Sequence, residues 1–292
     1  MANTHSVDTP GANTLSAYAV SVDTPAQTAN TTAAGIEICL NCDDLSTLAA
    51  QVVAARQGGA IRLELCADMA QQGLTPTKQA VAIVRQAWGD APGLVAMLRP
   101  RGGDFYYQAA DVRLLQQQLT ELAEAGADAV VVGPLQKNSS GITDFDWPLL
   151  RTLLAQATAL QLEVNIHRAV DVLPMAARPA ALQQLQQLGI QRLLTAGCDW
   201  HSGLGVAHGL VQLQQDVQLA KTQQSPKLVI GGGITLANLP TLCAQLLQAD
   251  KAIAAYISFH CYSAVLTDGL VDQHKVEALV MAVANGCSAP MR

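Results

Sequence analysis

Charged residues are scarce in this chain of 292 residues, and long apolar runs are missing. Only 14% of the residues are charged, against about a quarter in an ordinary soluble domain, and 23 Asp and Glu outnumber 17 Lys and Arg. A net charge of -6 without a basic cluster argues against binding to nucleic acid or an anionic membrane. No stretch reaches the roughly 18 apolar residues of a spanning helix, so neither a nucleic acid nor a membrane is expected as a partner.

A disulfide framework and a targeting segment are also missing. The seven cysteines are odd in number and lie far apart except for Cys39 and Cys42. The first 34 residues contain no Lys or Arg from which a signal or transit peptide would be built. We therefore expect a cytoplasmic protein whose reduced thiols are available as soft metal ligands or nucleophiles.

Composition divides the chain at about residue 34. Residues 1–34 are rich in Thr, Ala, Ser and Asn, and Ser-Val-Asp-Thr-Pro occurs there twice, at 6–10 and 21–25. Such a segment buries too little apolar surface to offset the entropy of ordering. We predict a disordered low-complexity tail over 1–34 and a single folded domain over 35–292.

Short apolar runs alternate with longer amphipathic stretches throughout this domain. Eight β-then-α units over about 250 residues predict an α/β fold, a (β/α)8 TIM-type barrel of parallel strands with an outer ring of helices. An open doubly wound sheet is the alternative, but its glycine-rich fingerprint is missing after the first run. The predicted strands are Ile36–Leu40, Ile61–Leu65, Leu94–Leu98, Ala129–Val132, Leu162–Ile166, Gln191–Leu194, Lys227–Ile230 and Ala254–Phe259.

Polar residues alternate with apolar ones in four of these strands, so each of the four has one polar face. The apolar faces suit packing against the helices, which leaves the polar faces for the barrel interior. Buried charges are expensive unless paired, so we expect a ligand site at the carboxyl-end mouth, with a purely structural ion network as the alternative. The inward set is Glu37 and Cys39; Arg62, Glu64 and Cys66; Asn165 and His167; Ser258 and His260.

Three loops that follow predicted strands carry groups suited to an anion. Two arginines stand beside two glycines after the third strand, an arginine follows the fifth, and three glycines follow the seventh. The alternatives are a surface loop with Arg-Asp pairing and a simple tight turn. The predicted anion-binding residues are Arg99, Arg101, Arg168, Gly231, Gly232 and Gly233.

Acid/base chemistry at the same mouth has several candidates but no reaction. A His, an Arg and an Asp within five residues at a strand end form an acid/base and anchoring set, although a lone His is often a satisfied core residue. Nucleophile elbow, P-loop and HExxH patterns are missing. Whether the protein is an enzyme stays open, and the candidate catalytic residues are His167, Glu37, Glu64 and Asp171.

Cysteines end two neighbouring strands with inward parity. Cys39 and Cys66 lie at the ends of strands spaced about 4.8 Å apart, so one ion is within reach of both sulfurs. Two thiolates suit a soft ion of low coordination number such as Cu(I). Cys42 and Cys261 are possible further ligands, and the alternative is that these cysteines are small buried hydrophobes.

The motifs together resemble the CutC copper homeostasis family, from about Ile36 to Val265. The resemblance implies a TIM-type barrel, a cytoplasmic location and copper handling, with Cu(I) at a cysteine pair that matches Cys39 and Cys66. The chain departs from the usual family pattern at Ile61 and at Asn165-Ile166. The residues that carry the resemblance are Glu37-x-Cys39, Arg62-Leu63-Glu64-Leu65-Cys66, Arg99-Pro100-Arg101-Gly102-Gly103-Asp104-Phe105, His167-Arg168-Ala169-x-Asp171, Gly231-Gly232-Gly233-Ile234 and Phe259-His260-Cys261.

Two functions follow as hypotheses. The first is a cytosolic copper homeostasis protein that binds Cu(I) through Cys39 and Cys66 at the barrel mouth. The second is a barrel enzyme of unidentified reaction that acts on a small phosphorylated or carboxylated substrate. The expected partners are a copper ion, a small anionic metabolite and further copies of the chain in a homo-oligomer; a barrel that serves only as an assembly scaffold is the weaker third possibility.

Overall fold

The structure is a computed structural model that describes residues 34–223, 226–248 and 250–288. Apart from Ala34, the tail predicted over 1–34 lies outside the described residues. The barrel and its helices run from Gly35 to Ser288. Among the described residues, no helix combines the length and apolarity needed to cross a membrane.

Eight parallel strands close into a barrel, which confirms the predicted fold class and excludes the open doubly wound sheet. Every strand pairs with its neighbours in chain order, and the eighth pairs with the first. The strands are β1 Gly35–Asn41, β2 Arg62–Cys66, β3 Leu94–Met97, β4 Ala129–Val132, β5 Glu163–Ile166, β6 Arg192–Thr195, β7 Lys227–Ile230 and β8 Ile257–Cys261.

A helix follows each strand, and polar side chains mark several helix starts. Thr77 and Asp146 accept hydrogen bonds from backbone N–H groups in the first turn, and Gln108 forms a reciprocal capping box with Asp111. The α-helices in the described ranges are α1 Leu48–Gln57, α2 Lys78–Trp88, α3 Ala109–Glu124, α4 Trp147–Ala159, α5 Arg178–Gln187, α6 Val206–Gln223, α7 Leu239–Leu247 and α8 Gln273–Ser288.

The eighth predicted strand begins too early. The run from Ala254 was predicted as a strand, but Lys251–Tyr256 is a 3-10 helix and β8 starts only at Ile257. The Asp250 side chain accepts a hydrogen bond from the N–H of Ala252 and so caps this helix. Ile253 and Ala254 are buried within this 3-10 helix, so their apolar character reflects burial and does not mark the start of the strand.

The strands separate two packed regions, as their alternation predicts. Outward-facing residues such as Ile36, Leu63 and Phe259 pack with the helices in one large apolar core. Inside the barrel lies a small separate apolar cluster, formed by Cys39, Cys66, Val95, Met97, Ala129 and Val131. The rest of the interior is mainly polar, with Leu194 and Val229 as further buried apolar residues, and its side chains lead up to the mouth.

A buried ion network fixes the wall beneath the mouth between β5, β6 and α6. Arg178, at the start of α5, is 0% exposed and pairs with Asp171 at 3.2 Å and with Asp216. It also donates to Thr195 Oγ1 at 3.0 Å. One cation therefore ties together three elements, and its loss leaves two buried carboxylates without their shared partner.

We predict that Arg178→Met lowers the free energy of unfolding by about 3 to 5 kcal/mol, the range for breaking a buried ion pair. Urea denaturation measures this difference. Lys78→Met is the matched control, because Lys78 pairs with Glu124 at the surface, where both side chains are more than half exposed. The control loses at most about 1 kcal/mol. Equal losses in the two variants would contradict the role given to Arg178.

Candidate metal and ligand site at the barrel mouth

A cavity of about 480 Å³ opens where the strands end. Its wall comes from seven of the eight strands or the loops that follow them. It brings together eight of the twelve residues predicted to be catalytic, anion-binding or metal-binding, and His260 of the inward set. The cavity has a sulfur half, formed by Cys39, Glu64, Cys66, Met69, Met97, His260 and Tyr262, and a cationic half, formed by Arg99, Phe105, His167, Arg168, Trp200, Gly232 and Gly233.

The two inward cysteines meet in the sulfur half. Cys39 Sγ and Cys66 Sγ lie 3.8 Å apart, and both side chains are buried. The S–H of Cys66 stabilises the Cys39 thiolate and lowers its pKa to about 6, against opposing burial. The same hydrogen bond, together with burial, raises the pKa of Cys66 well above its usual range. The two pKa shifts have opposite signs, so the pair loses its first proton more readily than its second.

His260 stands beside the pair and is oriented from behind by Glu37. Its Nδ1 lies 2.8 Å from Glu37 Oε1 and 3.9 Å from Glu64 Oε2. Burial opposes the charged imidazole, but Glu64, Cys39 and Glu37 outweigh it and raise the pKa of His260 well above its usual range. Because Nδ1 faces the carboxylate of Glu37, the other ring nitrogen, Nε2, is the one left for a ligand.

The pKa values of the two buried glutamates are shifted in opposite directions. Burial would raise the pKa of Glu37, but His260 and Arg62 overcome it and lower that pKa; Arg62 Nε lies 3.6 Å from Glu37 Oε2. Burial dominates at Glu64 and raises its pKa to about 8. Ligand atoms of Cys39, Glu64 and His260 all lie within 4.8 Å of one another, which is the spacing of a metal site.

His167 faces the cationic half as a neutral donor. Its Nδ1 accepts a hydrogen bond from the N–H of Ala169 at 3.0 Å, so the ring proton sits on Nε2. Burial, assisted by the charge of Arg99, lowers the pKa of His167 to about 3. The ring packs on Phe105 with centroids 4.7 Å apart.

Arg99 is buried beside it and holds the surrounding loops. Its Nη1 donates to the carbonyls of Gln71 and Gly73 at 2.7 and 3.0 Å, and its Nη2 donates to Gly103 at 2.9 Å. Within the described ranges Arg99 forms no ion pair. The charge of Arg99 therefore meets carbonyl dipoles but no anion.

Arg168 and two glycines complete the cationic half. Arg168 Nε pairs with Asp171 at 2.8 Å, and its guanidinium lies 4.8 Å from the ring centre of Trp200. Gly232 and Gly233 have φ of 102° and 90°, a conformation that favours glycine. A Cβ at Gly232 would lie 3.3 Å from Arg168 Nη1, so the backbone approaches this side chain closely.

Four residues predicted for the site do not line this cavity. Arg101 pairs with Asp104 and Asp111 at 3.0 Å each, which matches the alternative of Arg-Asp pairing in a surface loop. The other three serve the framework: Glu37 orients His260 from a deeper layer, Asp171 binds Arg168 and Arg178, and the N–H of Gly231 donates to Thr195. Cys42 and Cys261, the possible further ligands, belong to the outer apolar core.

Trp200 is a cavity residue that sequence reasoning missed. It lies in the loop after β6 and packs against both Phe105, with centroids 5.6 Å apart, and Arg168. Met69 was missed in the same way, since it follows β2 in a short 3-10 helix. Their positions in the sequence could have identified both residues, because each follows a strand within a few residues and therefore lies at the barrel mouth.

The sequence matches known proteins across the same region. A family model described as the CutC family matches residues 34–255, which is most of the chain and most of the barrel. The chain belongs to the CutC family. The human copper homeostasis protein cutC homolog is 30% identical over 257 residues, which cover 87% of this chain and 81% of the human protein.

Two further comparisons concern a bacterial relative and a solved structure. A CutC family protein of Bacteroides fragilis is 34% identical over 170 residues, which are 58% of this chain and 62% of the Bacteroides protein. The crystal structure of CutC from Streptococcus agalactiae has a TM-score of 0.63 at 24% identity and covers 78% of this chain and 98% of that chain. At this identity the structural likeness establishes the fold, the closed eight-stranded barrel.

We predict that acid destabilises the protein partly through His167. The unfolded chain binds a proton on this residue below its ordinary pKa of 6.5, whereas the folded protein does so only near pKa 3. Stability is therefore lost as pH falls from about 6.5 towards 3, and this group accounts for about 2 kcal/mol between pH 7 and pH 5. His167→Gln should flatten the dependence by that amount in urea denaturation.

The control for this measurement is His208→Gln, at an exposed position of α6. It should leave the pH dependence of the unfolding free energy as it is in the wild type. A His167→Gln variant that loses stability towards pH 5 as steeply as the wild type would contradict the buried neutral state of His167.

Proposed function

We propose that this protein is a copper homeostasis protein that binds Cu(I) through the thiolates of Cys39 and Cys66. The observation that carries the proposal is the 3.8 Å separation of the two sulfurs inside the barrel mouth. The name of the human relative, a copper homeostasis protein, supports the choice of metal.

The sulfur spacing fits a shared ion. Two thiolates that bind one metal at about 2.3 Å each must lie within about 4.6 Å of one another, and the observed distance meets this limit. A disulfide needs the sulfurs at about 2.05 Å, so the pair is reduced. His260 would supply a third donor through Nε2 once this nitrogen has lost its proton, and Glu37 holds the ring in place.

Thioethers near the pair favour copper over zinc. Met69 and Met97 line the same half of the cavity and pack with the two cysteines. A Cβ at Gly73 would lie 3.2 Å from Cys66 Sγ and 3.6 Å from Met97 Cε, so these two side chains lie side by side. Thiolates and thioethers are the soft donors that select Cu(I), while structural zinc sites use four Cys or His ligands.

The proposed Cu(I) site needs a compartment in which its two cysteines stay reduced. Thiolate ligands stay reduced in a cytoplasm, which is the compartment we propose for the protein. Binding removes the proton that Cys66 keeps in the metal-free pair, so protons and metal compete for the same sulfurs. The homo-oligomer stays a prediction.

We predict that Cys39→Ala and Cys66→Ala each lower the affinity for Cu(I) by at least about 100-fold, because a single thiolate is left to hold the ion. An anaerobic competition titration against a chelator of known Cu(I) affinity measures the change. Met97→Leu keeps the volume but removes the thioether, and we expect a smaller loss.

Cys261→Ala is the matched control for these substitutions. Cys261 also ends a barrel strand and is buried, but it faces the helices and belongs to the outer core. It should bind Cu(I) with wild-type affinity. Unchanged affinity in the Cys39→Ala/Cys66→Ala double variant, or an equal loss in Cys261→Ala, would rule out the proposed site.

A further inference from the structure

The cationic half of the cavity has hydrogen-bond donors with nothing to bind. Three buried side-chain nitrogens in the cavity wall have no hydrogen-bond partner among the described residues: Arg99 Nε, His167 Nε2 and Arg168 Nη2. All three are N–H donors. Because buried polar groups are normally paired, three orphaned donors in one wall indicate a missing acceptor.

The balance of buried charges around the cavity also indicates a missing anion. The two buried carboxylates nearby, Asp171 and Asp216, are matched by two arginines, Arg168 and Arg178. Arg99 is an additional cation, only 2% exposed, and in the described part of the chain it contacts carbonyl oxygens but no carboxylate. A buried charge without a counterion is expensive, and an anionic ligand would supply that counterion.

The glycine loop after β7 adds backbone donors. The N–H groups of Gly232 and Gly233 donate no hydrogen bond within the residues that the structure describes, and both glycines line the cavity. Successive free amides with positive φ form a concave anion-binding surface. The N–H of Gly231, by contrast, already donates a hydrogen bond to the carbonyl of Thr195.

We propose that this half of the cavity binds the oxyanion group, a phosphate monoester or a carboxylate, of a small molecule. Arg99 Nε, His167 Nε2, Arg168 Nη2 and the amides of Gly232 and Gly233 donate to its oxygens. Phe105 and Trp200 form the apolar wall for the rest of the molecule. A cavity of about 480 Å³ is in the size range of small-ligand sites.

The ligand site does not depend on copper binding. Its donors come from β3, β5, β7 and the loops after them, while the sulfur pair belongs to β1 and β2. The neutral state of His167 fits this role, since the ring offers a fixed Nε2–H without a second positive charge. The two sites can therefore be tested separately.

The test is isothermal titration calorimetry of the reduced, metal-free, full-length protein. The probes are glycerol phosphate and malonate, each against sodium chloride of equal ionic strength. Binding of glycerol phosphate identifies a phosphate-bearing ligand, and binding of malonate alone identifies a carboxylated one. If neither probe binds, the proposal is overturned.

Arg168→Gln should raise the Kd of the bound probe about 10- to 100-fold, because it removes charge-assisted hydrogen bonds. Its ion-pair partner Asp171 keeps Arg178, so the variant should fold, and its thermal midpoint in the absence of the probe checks this. Arg101→Gln is the matched control, since Arg101 lies in the same group of loops but outside the cavity. Equal losses in the two variants would overturn the site.

A second pair of variants tests the neutral donor. His167→Leu removes the N–H and should weaken binding about tenfold, while His167→Gln keeps a side-chain N–H and should recover part of the loss. The Cys39→Ala/Cys66→Ala variant should bind the probe at least as tightly as the wild type, because it removes a negative charge from the cavity and none of the proposed donors. A large loss of probe affinity in that variant would place the anion at the sulfurs and contradict the proposal.

Discussion

The parallel register of β1 with its two neighbours is the constraint on which the site depends. Closure of the barrel places Glu37 opposite both Arg62 and His260, and Cys39 opposite Glu64. A shift of one residue in either pairing would turn the inward side chains towards the helices. The sulfur separation, the orientation of His260 and the pairing of the buried charges all follow from this register.

Two buried carboxylates that do not line the cavity are each held by two cationic side chains. Glu37 is held by His260 and Arg62, and Asp171 by Arg168 and Arg178. These contacts make both carboxylates parts of the framework, although the sequence offered them as catalytic candidates. Donors without a partner belong to three residues that line the cavity, Arg99, His167 and Arg168, while deeper in the barrel Arg62 Nη1, Asn165 Oδ1 and Ser258 Oγ are also without a partner among the described residues. The three donors at the mouth differ from the deeper groups because they line a cavity large enough for a small molecule, which is the pattern of a binding site.

The fold and the inward set of residues could be predicted from the sequence, because both depend on local periodicities of apolar and polar residues. Alternation assigns Cys39, Glu64 and His260 to the interior, and strand order places them next to one another. The sequence could not show that Arg99 lines the cavity while Arg101 does not. It depends on where the chain goes after β3 ends: Arg99 still points into the barrel, and Arg101 turns to Asp104 and Asp111. The role of Asp171 depends in the same way on a partner from α5 that no local pattern reveals.

The charge of the Cys39–Cys66 pair bears on the charge of the ion that it would bind. Cys39 and Cys66 lose their first proton more readily than their second, and the singly protonated pair carries one negative charge. Replacing that proton with a monovalent cation leaves the charge of the pair unchanged, while a divalent cation would add one positive charge. Glu37, His260 and Arg62 are arranged around the charge that the pair has already. With the two sulfurs as ligands, the exchange of one proton for Cu(I) would leave the net charge unchanged, whereas a bond to His260 Nε2 would also release the imidazole proton and make the site more negative by one charge.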